Sequence, residues 1–378
     1  MDERIYLSPP YLTGAEEKHV KNAFAQNWIA PMGPDIKALE AEISNSVGVK
    51  HAVALCSGTA AIHLSLLYLG ISPGDTVLCP SFTFIGSCNP VHYLGAEPVF
   101  VDSEQTGYGM CPKAAKRALS ELDKRGRLPK AAVIVDLYGH PANMGALLPL
   151  FESYGIPVIE DAAEALGARY KGKMCGAFGA AAILSFNGNK IITSSGGGML
   201  LTNDTAMAEK ALYYATQARR NAPYYQHTEV GFNYRLSNIS AAIARGQFET
   251  LAHRIAVRRE HYNAYAAEFD GLPLDMMPVS PDTEPNYWLS CAVLDKNCGV
   301  SPQELIDCLE AHNIEARRYW KPMHLQPLHS GRDYYTAGDG DVCGRLFDSG
   351  VCLPSGSGMT PAQRDRIIEI IKKKITGI

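Results

Sequence analysis

The chain has 378 residues, of which 46% are hydrophobic and 20% are charged, so it is long enough to bury a large core and divide it between two domains. The formal charge of −4 leaves no basic face of the size that binding a phosphate backbone requires, which excludes nucleic acid as an expected partner. No apolar run reaches the roughly 18 residues that span a bilayer, and the N-terminus lacks a signal-peptide pattern. We therefore expect a cytoplasmic protein without a membrane partner.

The ten cysteines are scattered, without the C-x-x-C spacing or the paired histidines of a zinc site. A chain of this length does not need disulfide bonds to fold. We expect free thiols in a reducing compartment and no metal site.

Short apolar runs bounded by Gly, Pro or Asp alternate with helix-like stretches over most of the chain, which is the pattern of an α/β fold. Most runs are almost continuously apolar, as strands covered on both faces by helices must be. The pattern predicts a mostly parallel sheet of seven strands, at His51–Leu55, Thr76–Cys79, Pro98–Val101, Ala131–Leu137, Pro157–Glu160, Ala181–Phe186 and Met199–Thr202.

A long helical pattern runs from Ser237 to about Phe269 and is expected to connect a large domain to a smaller one. We place the large domain, with an N-terminal arm, at residues 1–250 and a smaller α+β domain at residues 251–378. In the smaller domain we predict a loop, a strand and two helices, at Gly271–Pro285, Trp288–Leu294, Pro302–His312 and Pro361–Lys374.

The segment from Cys56 to Ala61 follows a predicted strand and opens an apolar helix. Backbone N–H groups near Thr59 and Ala60 would point out of this helix N-terminus, where anions bind. A simple Ser or Thr N-cap explains the same residues and is the favoured interpretation of this segment alone.

Two further strand ends carry ionisable side chains. Asp161 lies where α/β sheets place their ligands, and a buried carboxylate there can keep a pyridine nitrogen protonated. With Glu164 three residues later, Asp161 also fits a helix capping box. Lys190 leaves the strand Ala181–Phe186 in a small, turn-rich loop, where desolvation would make its amine nucleophilic. A lone lysine is more often exposed on a helix surface.

These three segments occur in one α/β domain in this order, which points to a single site. The sequence resembles the DegT/DnrJ/EryC1/StrS family of sugar aminotransferases that depend on pyridoxal 5'-phosphate (PLP). The resemblance runs from LSPP at Leu7–Pro10 to CLPSG at Cys352–Gly356, and includes SGTAA at Ser57–Ala61, PSFTFIGS at Pro80–Ser87, EDAAEALG at Glu160–Gly167, SFNGNK at Ser185–Lys190 and GFNYRLSN at Gly231–Asn238.

The resemblance implies the type I fold of PLP-dependent transferases, with PLP as the cofactor. It assigns Lys190 as the Schiff-base lysine and proton shuttle, and Asp161 as the partner of the pyridinium nitrogen. The remaining implied contacts are phosphate binding by two backbone N–H groups and one hydroxyl, and stacking of one aromatic ring, at Thr59, Ala60, Ser185 and Phe84. For the aromatic ring, packing in the core is the alternative.

Two residues are assigned less directly by the resemblance. Glu164 would face the cofactor or the sugar, because relatives vary between Glu, Gln and His at this position. Asn233 would reach the phosphate of the neighbouring subunit, which implies a homodimer with a shared active site. The alternative for Asn233 is a loop residue that satisfies its own backbone.

Two segments are candidates for binding a nucleotide sugar. Ile29 and Met32 offer an apolar surface to a nucleobase. A segment that begins at Arg317 and includes Lys321 and His324 offers cations and a histidine to a diphosphate. Each segment fits an ordinary inter-domain contact equally well.

The implied reaction is a ping-pong transamination from an amino-acid donor, glutamate, to a keto sugar. Within the family, EDAAEALG joined to SFNGNKIITSSGGGMLL resembles the branch that aminates C4 of UDP-4-keto-6-deoxy-N-acetylglucosamine in a bacillosamine-type pathway for protein glycosylation. Many relatives carry a Glu between the glycines of this loop, where this chain has Gly196–Gly198, and this departure bears on the substrate.

Amination of a 3-keto or dTDP-linked sugar stays open. A sugar dehydratase on the same scaffold would carry His in place of the lysine, and Lys190 disfavours it. A non-catalytic PLP-sensing regulator would need a helix-turn-helix and a basic surface.

Overall fold

The computed structural model describes residues 3–338 and 340–377, and within them the chain forms twelve α-helices and fifteen β-strands. The helices are α1 (Ala15–Ala25), α2 (Pro34–Val47), α3 (Gly58–Tyr68), α4 (Asn89–Tyr93), α5 (Pro112–Lys124), α6 (Met144–Glu152), α7 (Thr205–Ala215), α8 (Asn238–Phe248), α9 (Leu251–Phe269), α10 (Pro302–Ala311), α11 (Val342–Ser349) and α12 (Pro361–Thr376). The strands are β1 (His51–Leu55), β2 (Thr76–Pro80), β3 (Glu97–Val101), β4 (Ala131–Val135), β5 (Val158–Asp161), β6 (Arg169–Tyr170), β7 (Lys173–Met174), β8 (Ala181–Ser185), β9 (Gly198–Thr202), β10 (Leu274–Met276), β11 (Thr283–Glu284), β12 (Ser290–Leu294), β13 (Arg317–Arg318), β14 (Tyr334–Tyr335) and β15 (Gly350–Leu353).

Eight strands form the central sheet, in the order β1-β9-β8-β5-β4-β2-β3-β14. Six neighbouring strands of this sheet run parallel, namely β8, β5, β4, β2, β3 and β14. Strand β9 runs antiparallel to both of its neighbours, β1 and β8. The predicted mostly parallel sheet is confirmed, and all seven predicted strands are present. The eighth strand, β14, pairs with β3 at the edge of the sheet. It has two residues, too few to show a period in the sequence.

Helices cover both faces of the central sheet. Helices α3, α4 and α7 pack on one face, and α2, α5, α6 and α8 pack on the other. Strands β2, β4 and β9 are buried along their whole length, which explains their continuous apolar sequences. Polar chemistry is therefore left to the edge where the parallel strands end.

Three chain segments meet at that edge. Strands β5 and β8 are parallel neighbours that end at Asp161 and Ser185. Helix α3 begins at Gly58, directly after β1, and Ser57 forms a β-bridge with Gly197 before β9. The sheet thus brings together the three segments that carry candidate chemistry.

A second, antiparallel sheet has the order β10-β12-β15-β13 and packs against α9, α10 and α12. Helix α10 begins with a capping box between Ser301 and Glu304, in line with the helix predicted there. The chain after residue 250 also supplies β14 to the central sheet, and Ile5 forms a β-bridge with Ile314. The division into domains at residue 250 stays a prediction.

The long helical pattern that begins at Ser237 contains two helices, α8 and α9, rather than one. At the break, the Thr250 hydroxyl donates to the Gln247 carbonyl (3.1 Å) and accepts from Nε of Arg254 (2.9 Å). A short polar side chain here competes for backbone groups, which ends the first helix. The predicted loop Gly271–Pro285 similarly contains two short strands, β10 and β11. No helix in the described ranges is long and apolar enough to cross a bilayer.

Candidate active site

A cavity of about 740 Å³ opens at the carboxyl ends of the parallel strands. Its walls come from the N-terminal arm, the start of α3, the loops after β2, β5 and β8, and the segments before β12 and after β13. Six of the residues singled out in the sequence line this cavity, namely Thr59, Phe84, Asp161, Glu164, Ser185 and Lys190.

The start of α3 forms one wall. Ser57 is the N-cap, and its Oγ accepts from the backbone N–H of Ala60 at 3.0 Å. The N-cap interpretation is thus realised, while the first helical N–H groups, at Gly58 and Thr59, have no carbonyl of their own helix to bind. A Cβ on Gly198 would overlap the backbone of Ser57 and Gly58, so the glycine lets β9 approach this turn closely. The helix start remains a suitable anion site.

Lys190 extends from the loop after β8 into the cavity, and its side chain is 11% exposed. Its Nζ lies 3.3 Å from Oε1 of Glu164 and 4.0 Å from the centroid of the Trp288 ring. The indole N–H of Trp288 donates to the Asn189 carbonyl at 2.6 Å, which fixes the ring against the loop. The amine is therefore held between a carboxylate and an aromatic face.

Asp161 ends β5 and lines the cavity with a side chain that is largely buried. Its Oδ2 accepts from the Ser87 hydroxyl at 2.6 Å, and its Oδ1 accepts from the backbone N–H of Ala163 at 3.2 Å. Burial raises the pKa of Asp161, while these two hydrogen bonds and the charge of Lys190 lower it. The residues after Asp161 form turns, so the capping-box alternative is not realised.

Glu164 is 5% exposed and contacts two chain segments. Besides the contact with Lys190, its Oε2 accepts from the backbone N–H of Tyr138 at 2.7 Å. Burial raises the pKa of Glu164 to about 7, although the charge of Lys190 opposes the shift. Its carboxyl group can therefore lose or gain a proton close to neutral pH.

Two more buried carboxyl groups lie behind this edge of the sheet. Burial raises the pKa of Asp136 to about 6 and raises the pKa of Glu160 well above its usual range. Glu160 accepts from the backbone N–H groups of Gly176 and Phe178, both at 2.8 Å. With Cys175, these two carboxyl groups form a buried cluster whose spacing would suit a metal ion. The backbone contacts of Glu160 give it a structural role in tying the loop after β7 to β5.

Aromatic rings, those of Phe84 and Trp320, form another part of the cavity wall. Phe84 is 53% exposed, and its ring centroid lies 5.5 Å from that of Trp320. Trp320 in turn packs on Tyr138 at 4.7 Å. One face of Phe84 is therefore open to a flat ligand, in contrast to the core packing considered for it.

Two arginines line the outer part of the cavity. Arg317 donates twice to Oε1 of Glu315, at 2.9 and 2.6 Å. Arg318 donates to the backbone carbonyl of Phe347 at 2.6 Å, and its buried Nε has no hydrogen-bond partner among the described residues. Glu315 also lines the cavity and offsets the charge of Arg317, so Arg318 leaves these three residues with a net positive charge that an anionic substrate group can use.

Comparison with known proteins identifies the family. Residues 10–372 match the DegT/DnrJ/EryC1/StrS aminotransferase family. The chain belongs to this family. It is therefore a PLP-dependent sugar aminotransferase.

Two relatives and one solved structure are similar to this aminotransferase over nearly its whole length. A Bacillus subtilis protein named as a pyridoxal phosphate-dependent aminotransferase, EpsN, is 48% identical over 375 residues, covering 98% of this chain and 96% of that protein. GDP-perosamine synthase of Vibrio cholerae is 33% identical over 97% of this chain and 98% of its own length. The crystal structure of a DegT DnrJ EryC1 StrS aminotransferase from Brucella abortus has a TM-score of 0.89 at 28% identity, covering 96% of this chain and 95% of that chain.

The cavity of the aminotransferase fits PLP, the cofactor of its family. Lys190 lines the cavity with an amine that could hold the aldehyde, and Asp161 lines it with a buried carboxylate that could hold the ring nitrogen. The helix start at Gly58, which Gly198 allows close to the sheet, suits the phosphate, and the open face of Phe84 suits the ring. All four features border one cavity, so one cofactor can meet them together.

Six other residues predicted for the site do not line the cavity within this chain. The N–H of Ala60 is engaged by Ser57, and Asn233 is exposed on a segment that forms a β-bridge with Thr216. Ile29, Met32 and Lys321 are also exposed. These roles stay predictions.

The sixth of these residues, His324, has partners of its own. Its Nδ1 lies 2.6 Å from Ser81 Oγ, its Nε2 lies 3.2 Å from Asp341 Oδ2, and its ring stacks on Tyr334 at 3.8 Å. These contacts fix the histidine beside the large sheet. Its predicted contact with a diphosphate stays untested.

Sequence reasoning missed Ser87 and Trp288. Ser87 lies inside the quoted motif PSFTFIGS, three residues after Phe84, but nothing in the motif reveals which residue its hydroxyl contacts. Trp288 begins a predicted strand and touches a lysine far away in the sequence. Only the tertiary structure brings either residue to the site.

Proposed function

We propose that this aminotransferase moves the amino group of glutamate to C4 of a UDP-linked 4-keto-6-deoxy-N-acetylhexosamine, in a bacillosamine-type pathway. The observation that carries the transferase part is the single cavity that Lys190, Asp161 and the start of α3 share. The choice of sugar is supported by the sequence from Glu160 to Gly167 and the glycine-rich loop at Gly196–Gly198.

When bound, PLP supplies an electron sink that stabilises negative charge at the carbon losing its proton. Lys190 is the base in this proposal, because its Nζ enters the cavity beside a single carboxylate, Glu164. A buried carboxylate is costly unless a positive charge lies beside it. Asp161 therefore favours the protonated, positively charged form of the ring nitrogen. When the Lys190 amine is not bound to the cofactor, it contacts Glu164 and the face of the Trp288 ring.

The outer half of the cavity is proposed to hold the nucleotide sugar. Arg317 and Arg318 offer cations to a diphosphate, and Trp320 offers an aromatic surface to the sugar. Gly196 also lines the cavity, and a Cβ there would meet nothing within 4 Å. Its missing side chain leaves room for the N-acetyl group that distinguishes the proposed substrate.

We also propose a cytoplasmic homodimer with a shared active site. Asn233 lies outside the cavity of its own chain, on an exposed segment, as expected of a residue that serves the neighbouring subunit. The ten cysteines are all free, which suits a reducing compartment.

The substrate is tested by incubating the purified protein with glutamate and a panel of UDP-, dTDP- and GDP-linked 4-keto and 3-keto sugars. Mass spectrometry of the products identifies the aminated sugar. We expect amination of the UDP-linked 4-keto N-acetyl sugar above all others. The GDP-linked arm is included because one relative is a GDP-perosamine synthase. Preferential amination of any other sugar would overturn the substrate assignment and leave the aminotransferase chemistry in place.

The shared site is tested with hybrid dimers of Lys190→Ala and Asn233→Ala subunits. If Asn233 acts across the interface, one site of each hybrid has both native residues, and the hybrid regains about half of the parental activity. If Asn233 acts within its own subunit, no site is complete and no activity returns. Size-exclusion chromatography with light scattering gives the mass of each mixture.

A further inference from the structure

Two hydroxyl groups form a short hydrogen-bonded chain to Asp161, and the first of them belongs to Ser87, which lines the cavity beside Asp161. The Ser87 hydroxyl is 2.6 Å from Asp161 Oδ2, and the Thr83 hydroxyl is 2.8 Å from Ser87 Oγ. Ser87 is 2% exposed and Thr83 is fully buried. Water is thus kept away from this side of the carboxylate.

The direction of these hydrogen bonds follows from the chemistry of the groups. An ionised carboxylate only accepts, so Ser87 must donate its one proton to Asp161. The oxygen of Ser87 can then only accept, so Thr83 donates to it. The other acceptor within reach of Thr83, the Phe84 carbonyl, is farther away at 3.4 Å. Both hydroxyl dipoles therefore point at the carboxylate.

A single 3-10 turn links this pair of hydroxyls to the cavity. The turn Ile85–Ser87 follows Phe84, and the N–H of Ser87 donates to the Phe84 carbonyl at 3.1 Å. It presents the Phe84 ring to the cavity and turns Ser87 beneath it toward Asp161. A Cβ on Gly86 would lie 3.1 Å from the Phe84 ring, so the turn is tightly packed.

We propose that Ser87, supported by Thr83, is a positioning residue that keeps Asp161 ionised and correctly oriented toward the ring nitrogen of the cofactor. The inference rests on the proposed role of Asp161. In this proposal Ser87, although it lines the cavity, acts through its hydrogen bond to the carboxylate.

The other groups near Asp161 do not replace Ser87. Lys190 is the cation whose charge favours the ionised form, while Glu164 and Asp136 disfavour it when they are ionised. The thiol of Cys88 also lies close by. A hydrogen bond with Cys79 and burial both raise the pKa of Cys88, so it stays a neutral thiol. Among the described residues, Ser87 is thus the side chain that donates a hydrogen bond to Asp161 Oδ2.

Three variants separate the hydroxyl from the packing, namely Ser87→Ala, Ser87→Thr and Thr83→Val. A hydrogen bond to a charged group is worth enough that Ser87→Ala should lower kcat of the glutamate half-reaction by about tenfold or more. KM for glutamate should stay within about twofold, because the proposed role of Ser87 is to position Asp161 and not to bind glutamate. Ser87→Thr keeps a hydroxyl and should restore kcat to within about threefold of the parent.

Thr83→Val keeps the side-chain shape and removes the second hydroxyl, so it should lower kcat by about threefold. Three further measurements complete the test: PLP affinity by equilibrium dialysis, the absorption spectrum of bound PLP against pH, and the melting temperature. In Ser87→Ala, PLP affinity should fall by about tenfold. The acid limb of the profile of PLP absorption against pH should move up by about one pH unit. The reason is that Asp161 loses a hydrogen bond that lowers its pKa.

Two results would overturn the inference. One is a Ser87→Ala protein with parental PLP affinity, spectrum and pH profile, and the other is equal impairment of Ser87→Ala and Ser87→Thr. The readouts do not involve the sugar. A parent that binds PLP but does not aminate the proposed sugar would therefore refute the proposed function while the comparison of variants still decides the role of Ser87.

Discussion

Replacing Glu164 with Gln should stabilise the PLP-free protein at alkaline pH relative to the parent, and much less at acid pH. Burial raises the pKa of this carboxyl group from 4.5 to about 7. A carboxyl group whose pKa is higher in the folded than in the unfolded state favours folding while it is protonated. That contribution is complete below pH 4.5 and is lost as the pH rises through about 7. The amide of the Glu164→Gln variant does not titrate and keeps its contribution.

The magnitude follows from the size of the shift. A difference of about 2.5 pKa units at about 1.4 kcal/mol each amounts to about 3 kcal/mol, of which about 2.5 kcal/mol falls between pH 5 and pH 8. Glu164 is 5% exposed, so solvent screening reduces this value little. For 378 residues the entropy of unfolding is about 0.8 kcal/mol per kelvin, and the expected difference in melting temperature is about 3 °C.

The assay is differential scanning calorimetry of PLP-free parent and variant at one protein concentration, in buffers from pH 5 to pH 8. Asp136 and Asp161 are present in both proteins, so their titration largely cancels in the difference. Glu369→Gln, an exposed carboxylate on α12, is the matched control and should show no pH-dependent difference. A Glu164→Gln difference that changes by less than about 1 °C between pH 5 and pH 8 would refute the reasoning.

Three further predictions concern the same cavity. Lys190→Ala should lose the near-visible absorption of bound PLP and all amino transfer, and persistence of the absorption band would reassign the lysine. Gly198→Ala should lower the melting temperature and PLP affinity, because its Cβ would overlap the residues at the start of α3. Gly196→Ala, two residues earlier and with open space around its Cβ, should change neither. Trp288→Phe keeps an aromatic ring beside the lysine and loses the 2.6 Å hydrogen bond to the Asn189 carbonyl. Chemical denaturation should therefore show a free energy of unfolding that is lower by about 1 kcal/mol. An unchanged midpoint would mean that Ser8, which also donates to that carbonyl, satisfies it without Trp288.

Much of the fold is encoded in local sequence. The near-continuous apolar runs predict the seven strands, because a strand buried on both faces shows its surroundings in its own residues. The same local logic places Asp161 and Lys190 at strand ends and Ser57 at a helix start. The break between α8 and α9 was missed because the pattern of apolar residues continues across it, and only the hydrogen bonds of Thr250 show where the helix stops.

Contacts between distant segments could come only from the tertiary structure. Ser87 and Asp161 are 74 positions apart, and Trp288 and Asn189 are 99 apart, so no periodicity relates them. Strand β14 likewise exists only because β3 offers an edge to pair with. The sequence by itself determined the type of each element and the chemical groups at its ends, since both depend on neighbouring residues. Which of those groups touch, and how burial shifts their charge, depended on packing across the whole sheet.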